Sequence, residues 1–129
     1  MSPYWDKALR AAEAARVLTD AGFYDGAANR AYYAMFNAAR AALEARTDLK
    51  VEAIRRHSAV LELFSLHLVK PGLVPSKLSG DINEAFQVRA MADYATASVP
   101  ADDVRELLQL MEEMLEAVGA LLGRKGGRP

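Results

Sequence analysis

Apolar and small residues recur at steps of three and four along most of the chain, in runs separated by Gly, Pro and charged stretches, which is the signature of amphipathic helices. The first run opens on Ser2-Pro3, an N-cap and first-turn pair, carries Ala8, Ala12, Ala15 and Leu18, and meets Gly22, which predicts a helix over 3–21. A short link over 22–26 then requires the second helix, 25–46, to pack antiparallel to it. This second helix carries Ala28, Ala31, Tyr32, Met35, Ala39 and Ala42 on one stripe, flanked by Tyr33, Phe36 and Leu43. Its many small side chains permit close approach by several neighbours, which places it near the centre of a bundle. Asn29, Tyr33, Asn37 and Arg40 follow one another along one flank and read as a solvated edge, with Asn29 and Tyr33 as candidate binding residues.

The charged segment 47–56 predicts a loop or a frayed turn. A third helix carries Val60, Leu61, Phe64 and Leu68 from Ser58 to Val69, and Pro71-Gly72 ends it. Ser76 is a candidate N-cap for a fourth helix holding Leu78, Ile82, Ala85, Phe86 and Arg89, and the run 95–100 breaks it. Asp102 and Asp103 suit the first turn of a fifth helix with Val104, Leu107, Leu108, Met111, Leu115, Val118, Leu121 and Leu122 as its stripe. No alternation of period two survives, so the expected fold is all-α, an antiparallel bundle of four to five helices over 1–122 with a disordered basic tail over 123–129.

One residue breaks this pattern. At about 100° per helical residue, Arg89 falls within about 20° of both Leu78 and Ile82, so its guanidinium points along the buried stripe. A buried unpaired charge costs several kcal/mol, which calls for a counter-charge, a subunit seam or an anionic ligand. Asp93 stands next to Arg89 at i+4, whereas Tyr94 lies about 140° around, so the three converge only if the helix ends near Ala92.

Composition narrows the chemistry. The 129 residues fit one domain, with 52% hydrophobic and 26% charged residues and a formal charge of −1, which excludes bulk basic binding to nucleic acid but leaves room for a local phosphate site. Cysteine is absent and the two histidines are His57 and His67, so thiolate metal sites are excluded and neither a metal nor another cofactor is expected. His57 opens the third helix, where a packing role is the ordinary one and proton transfer or substrate contact the alternative. No run approaches the roughly 20 apolar residues of a membrane span, and the N-terminus lacks a signal-peptide pattern, which makes the cytoplasm the expected location.

Three stretches together resemble a known family. Asn29-Arg30-Ala31-Tyr32-Tyr33-Ala34-Met35-Phe36-Asn37, then Arg56-His57-Ser58-Ala59-Val60, then Phe86-Gln87-Val88-Arg89 with Ala92-Asp93-Tyr94, are similar in order and spacing to the minimal single-domain branch of the HEPN family. The resemblance implies a four- to five-helix bundle that forms a two-fold homodimer, paired with a minimal nucleotidyltransferase antitoxin. Active members cleave RNA without metal, using an arginine and a histidine with four to six residues between them. Arg89 matches the arginine, but the histidine does not carry over, because Tyr94 stands in that register and the chain has no histidine beyond His67. A phenol with a reference pKa of about 10 is a poor base at neutral pH. The resemblance therefore makes Arg89, Asp93 and Tyr94 the candidate catalytic residues and Tyr94 also a candidate for adenylylation by the partner. Asn29, Tyr33 and His57 are the candidate substrate contacts. Two readings follow: an RNA-cleaving toxin or its descendant, and a non-catalytic subunit that binds a nucleotide or a nucleotidyltransferase.

Overall fold

The computed structural model describes residues 2–94 and 96–125, with the helices α1 (Pro3–Asp20), α2 (Tyr24–Arg46), α3 (His57–Phe64), α4 (Leu78–Tyr94) and α5 (Ala101–Lys125). No strand occurs among the described residues, so the fold is the all-α antiparallel bundle that the periodicity predicts. None of these helices is long and apolar enough to cross a membrane.

Local chemistry sets the first hairpin. The Ser2 hydroxyl accepts the Tyr4 N–H at 3.1 Å, and Pro3 occupies the first turn, where its missing N–H leaves no bond unmade. At the other end Gly22 takes a φ of +84°, a left-handed conformation open to glycine, while the Phe23 N–H reaches back to the Leu18 carbonyl at 2.8 Å. The chain thereby reverses and lays α2 against α1. Ala8, Ala12 and Ala15 on α1, and Ala27, Ala28, Ala31, Ala34, Ala38, Ala39, Ala41 and Ala42 on α2, are all fully buried, so the helices approach closely. α2 touches α1, α3, α4 and α5, the central position its alanines predict.

α5 seals the opposite side. Val104, Leu107, Met111, Met114, Leu115, Val118 and Leu121 are buried; Met114 joins the predicted stripe, whereas Leu108 and Leu122 are only half-buried. A Cβ added at Gly119 would stand 3.4 Å from Trp5 Cζ2, a measure of how near α5 comes to α1. Across that seam Arg16 donates from Nε and Nη2 to both Glu112 carboxylate oxygens, at 2.7 and 2.9 Å. The α4–α5 connection is tied to the start of α2 by the Val99 N–H, which donates to Asp25 Oδ1 at 2.8 Å.

Several boundaries differ from the sequence expectation. The segment 47–56 contains a 3₁₀ turn, Val51–Ala53, which forms because Val51 finds a buried place in the core. The third helix is α-helical only to Phe64. Ser65–Val69 continues as a π-turn, widened to keep Leu68 buried while Ser65 Oγ bonds Ser79 Oγ of α4 at 2.6 Å. α4 begins at Leu78, so Ser76 lies in the preceding turn and does not cap it; Lys77 there pairs with Asp81 in the first turn and with Glu113 on α5. α5 runs on through Lys125, past the predicted end at Leu122; the rest of the expected tail, 126–129, lies outside the described residues.

Candidate functional site

The site is built on one flank of α2, where Asn29, Tyr32, Tyr33, Phe36, Asn37 and Arg40 stack at steps of three and four. α4 adds Arg89 and the start of α3 adds His57. Arg89 extends from the buried face of α4 defined by Leu78, Ile82 and Ala85, and its side chain is 24% exposed. Its Nε donates to Asn29 Oδ1 at 3.0 Å, and its guanidinium carbon lies 5.2 and 5.5 Å from the ring centroids of Tyr33 and Tyr32. The cation is thus held by a neutral amide and two aromatic rings. Its carboxylate contact is longer: Nη2 stands 3.6 Å from Asp93 Oδ2, a half-exposed i,i+4 partner. In that geometry the charge of Arg89 is only partly neutralised.

His57 packs 4.2 Å from the Phe36 ring and edge-on to Tyr33, with Nδ1 2.9 Å from the Tyr32 hydroxyl. Tyr32 is fully buried, and burial pushes its phenol well above the ordinary range, against the pull of the Arg89 cation. It therefore keeps its proton and must donate it, and Nδ1 is its hydrogen-bond partner. The proton of the neutral imidazole then belongs on Nε2, making that atom a donor. Burial holds the His57 pKa below its ordinary value, and the nearby Arg89 and Arg40 cations depress it further. The ring is accordingly neutral at pH 7.

Asn37 and Arg40 correct the expectation of a solvated edge. Asn37 is buried, donating from Nδ2 to the Tyr33 carbonyl at 3.0 Å and accepting from Arg40 Nη1 at 3.4 Å. Arg40 lies 4.3 Å over Phe36 and 5.3 Å over Tyr4, and its Nε is buried without a hydrogen-bond partner among the described residues. Among the described residues no carboxylate lies within ion-pair distance of it. The polar line is partly covered because the aromatic rings beside it pack under the start of α3 and against α4: Asn37 is buried, while Asn29, Tyr33 and Arg40 keep partial exposure.

Of the residues singled out from sequence, the structure brings together Arg89, Asn29, Tyr33, Asp93 and His57. Tyr94 does not join them. α4 stays helical through Tyr94, so the ending near Ala92 that convergence requires does not occur, and Tyr94 projects away with 87% exposure. Arg40 and Tyr32 are the members that sequence reasoning left in other roles. An arginine two helical turns beyond Tyr33 and three beyond Asn29, on an alanine-rich helix, was the available signal for Arg40.

Taken together, the cluster offers two guanidiniums, an imidazole N–H and amide groups, with Asp93 as the one carboxylate in contact with it among the described residues. Such a donor set suits an oxyanion rather than a metal cation.

Comparison with known proteins agrees with the stretches quoted above. The model of the HEPN domain matches residues 1–121. The UPF0332 protein glr0978 of Gloeobacter violaceus is 36% identical over 93 residues, covering 72% of this chain and 71% of that protein. Two proteins of Methanocaldococcus jannaschii also match. One, named "Putative toxin MJ0142", is 35% identical over 80% of this chain and 68% of its own length. The other, "Putative toxin MJ0605", is 27% identical over 81% and 75%. A family model spanning nearly the whole chain, on a bundle whose quoted stretches meet at one cluster around Arg89, establishes that this chain belongs to the HEPN domain family.

Proposed function

We propose that the protein is an RNA-cleaving toxin of the cytoplasm, acting without metal and held in check by a nucleotidyltransferase antitoxin. The observation that carries this reading is the state of Arg89: mostly buried, oriented by Asn29, stacked on Tyr32 and Tyr33, and only loosely paired with Asp93. A cation prepared in this way, over the same aromatic rings that His57 packs against, is suited to the charge that develops on a phosphoryl oxygen in the transition state.

In this reading Arg89 and His57 Nε2–H donate to the non-bridging oxygens of one phosphodiester, and Tyr32 fixes the imidazole tautomer. The ribose 2′-oxygen attacks phosphorus, its proton passing to the Asp93 carboxylate. As the 2′-O–P bond forms, the P–O5′ bond breaks and the 5′-oxygen takes a proton from water. The products are a 2′,3′-cyclic phosphate and a 5′-hydroxyl. Asp93 thereby takes the proton transfer that histidine performs in the resembling motif.

Tyr94, exposed at the end of α4, is on this reading a regulatory position and not a proton donor. Its phenol oxygen would attack the α-phosphorus of a nucleoside triphosphate on the partner, losing its proton and releasing pyrophosphate. The adduct would place a bulky anion one residue from Asp93. Two copies of the chain are proposed to associate about a two-fold axis, as the family resemblance implies.

The test is incubation of purified protein with tRNA or an unstructured RNA in chelator. Products ending in 2′,3′-cyclic phosphate and 5′-hydroxyl are expected. Absence of cleavage would overturn the nuclease reading in favour of a binding subunit.

A further inference from the structure

A second basic feature adjoins the Arg89 cluster on its other side. Between α1 and α2 runs an open cleft of about 340 Å³ lined by Lys7, Arg10, Arg30, Tyr33 and Asn37, with Ala11 and Ala14 as its small-residue wall. Its charge is concentrated. Lys7 and Arg30 have no carboxylate within ion-pair distance among the described residues, and Arg10 meets Asp6 at 3.4 Å with both side chains largely in water, a pairing of little strength. On a chain of net charge −1, three cations on one cleft are a local concentration and not a reflection of the whole surface.

Tyr33 belongs to both places. Its ring has Arg89 over it at 5.2 Å on the site side and also lines the cleft, while Asn37 lines the cleft and accepts from Arg40. The cleft and the phosphate cluster are therefore contiguous, separated by the thickness of one aromatic side chain. A half-buried tyrosine between cations is the arrangement on which an unpaired base stacks while the flanking backbone is neutralised. The volume sits at the lower end of the range for small-molecule clefts, on the scale of a single nucleotide unit.

We propose that the α1–α2 cleft is a subsite for single-stranded RNA, in which Lys7 and Arg30 hold backbone phosphate flanking the scissile one and Tyr33 receives a neighbouring base. This rests on the reading of Arg89 as a phosphate ligand, and extends it from one phosphate to a track along α2. Specificity for single strands follows from the cleft, because a base can reach Tyr33 only when it is unpaired.

The experiment measures binding of a non-cleavable, 2′-O-methylated, fluorescein-labelled oligouridylate to wild type and to the double variant Lys7→Ala/Arg30→Ala, over a series of salt concentrations, with a cleavage assay on tRNA in the same buffer. Both substituted side chains are exposed, and an unchanged melting curve confirms that the variant is folded. The expected result is roughly 10-fold weaker binding at low salt, with the slope of log Kd against log salt reduced by roughly 0.7 for each phosphate that the variant no longer neutralises. A duplex of the same length is expected to bind weakly to both proteins. Equal Kd and slope for the two proteins would overturn the subsite, while cleavage by wild type would leave the nuclease reading standing. Loss of binding in the variant without cleavage by wild type would support the subsite and overturn the nuclease reading. No binding by wild type would overturn the subsite, and absence of tRNA cleavage by wild type would overturn the nuclease reading.

Discussion

The Tyr32 hydroxyl and His57 Nδ1 lie 2.9 Å apart, joining the central helix to the start of α3 under the Arg89 guanidinium. This bond decides which imidazole nitrogen faces a ligand as a donor. Removing it by Tyr32→Phe leaves Nδ1 without its partner in a mostly apolar surround, which is expected to cost roughly 1 kcal/mol in a denaturant titration. It also removes a bond that favours the neutral ring, so the His57 titration midpoint is expected to rise toward about 6.5. A stability and a midpoint both unchanged would contradict the assigned tautomer.

His57 itself gives a signed pH dependence. Its pKa is lowered by burial and then by Arg89 and Arg40, so between its folded value and the unfolded value of about 6.5 the unfolded chain binds the extra proton. The associated stability is complete above about pH 6.5 and declines as pH falls below it. A proton NMR titration is expected to place the midpoint below 6.5, and Arg40→Ala or Arg89→Ala to raise it. A wild-type midpoint above 6.5 would contradict a neutral ring held beside two cations.

Tyr94 is expected to be dispensable for cleavage. At 87% exposure and outside the Arg89 contacts, Tyr94→Phe is expected to change stability by less than about 0.5 kcal/mol. Cleavage by that variant is expected to match wild type, while nucleotidyl transfer to it is lost. A cleavage defect comparable to that of Arg89→Ala would restore Tyr94 to the reaction.

The α1–α5 clamp offers a test of the scaffold. Glu112 has its pKa lowered, first by the hydrogen bond from Arg16, so its contribution is present above the unfolded carboxyl value and is lost as pH falls through the folded one. Both side chains are more than a third exposed, which limits the pair to about 1 kcal/mol or less. Glu112→Gln is expected to lower stability by no more than that, with a smaller effect in high salt.

Close α1–α2 packing carries a larger penalty. Ala12 has no exposure, and Ala12→Leu must insert three carbons between helices that meet at alanine contacts, a loss of about 1–3 kcal/mol. A neutral result in thermal denaturation would mean that the hairpin packs more loosely than its buried alanines indicate.

Much of the fold was readable from the residues, for identifiable reasons. Ser2-Pro3 and Gly22 are local signals whose capping chemistry depends on few neighbours, and the first hairpin follows from them. Arg89 stood out because a charge on a buried stripe conflicts with its helix. His57 and Arg40 were harder to place, since their roles depend on α3 crossing α2 at Phe36, a tertiary contact with no trace in local periodicity. The π-turn at Ser65–Val69 was hidden for a similar reason, because Leu68 keeps an apolar spacing compatible with either helical pitch. Tyr94 was placed with Arg89 by motif register, and the uninterrupted helix through it separates them.

The role of Arg89 as a phosphate ligand in RNA cleavage is tested most directly by the single-turnover cleavage rate of folded Arg89→Ala against wild type, on the same RNA in chelator. Removing one preorganised donor to a developing oxyanion lowers such rates by about 10²–10³. A fall of that size with an unchanged melting curve is the predicted result, and equal rates for the two proteins would contradict that role.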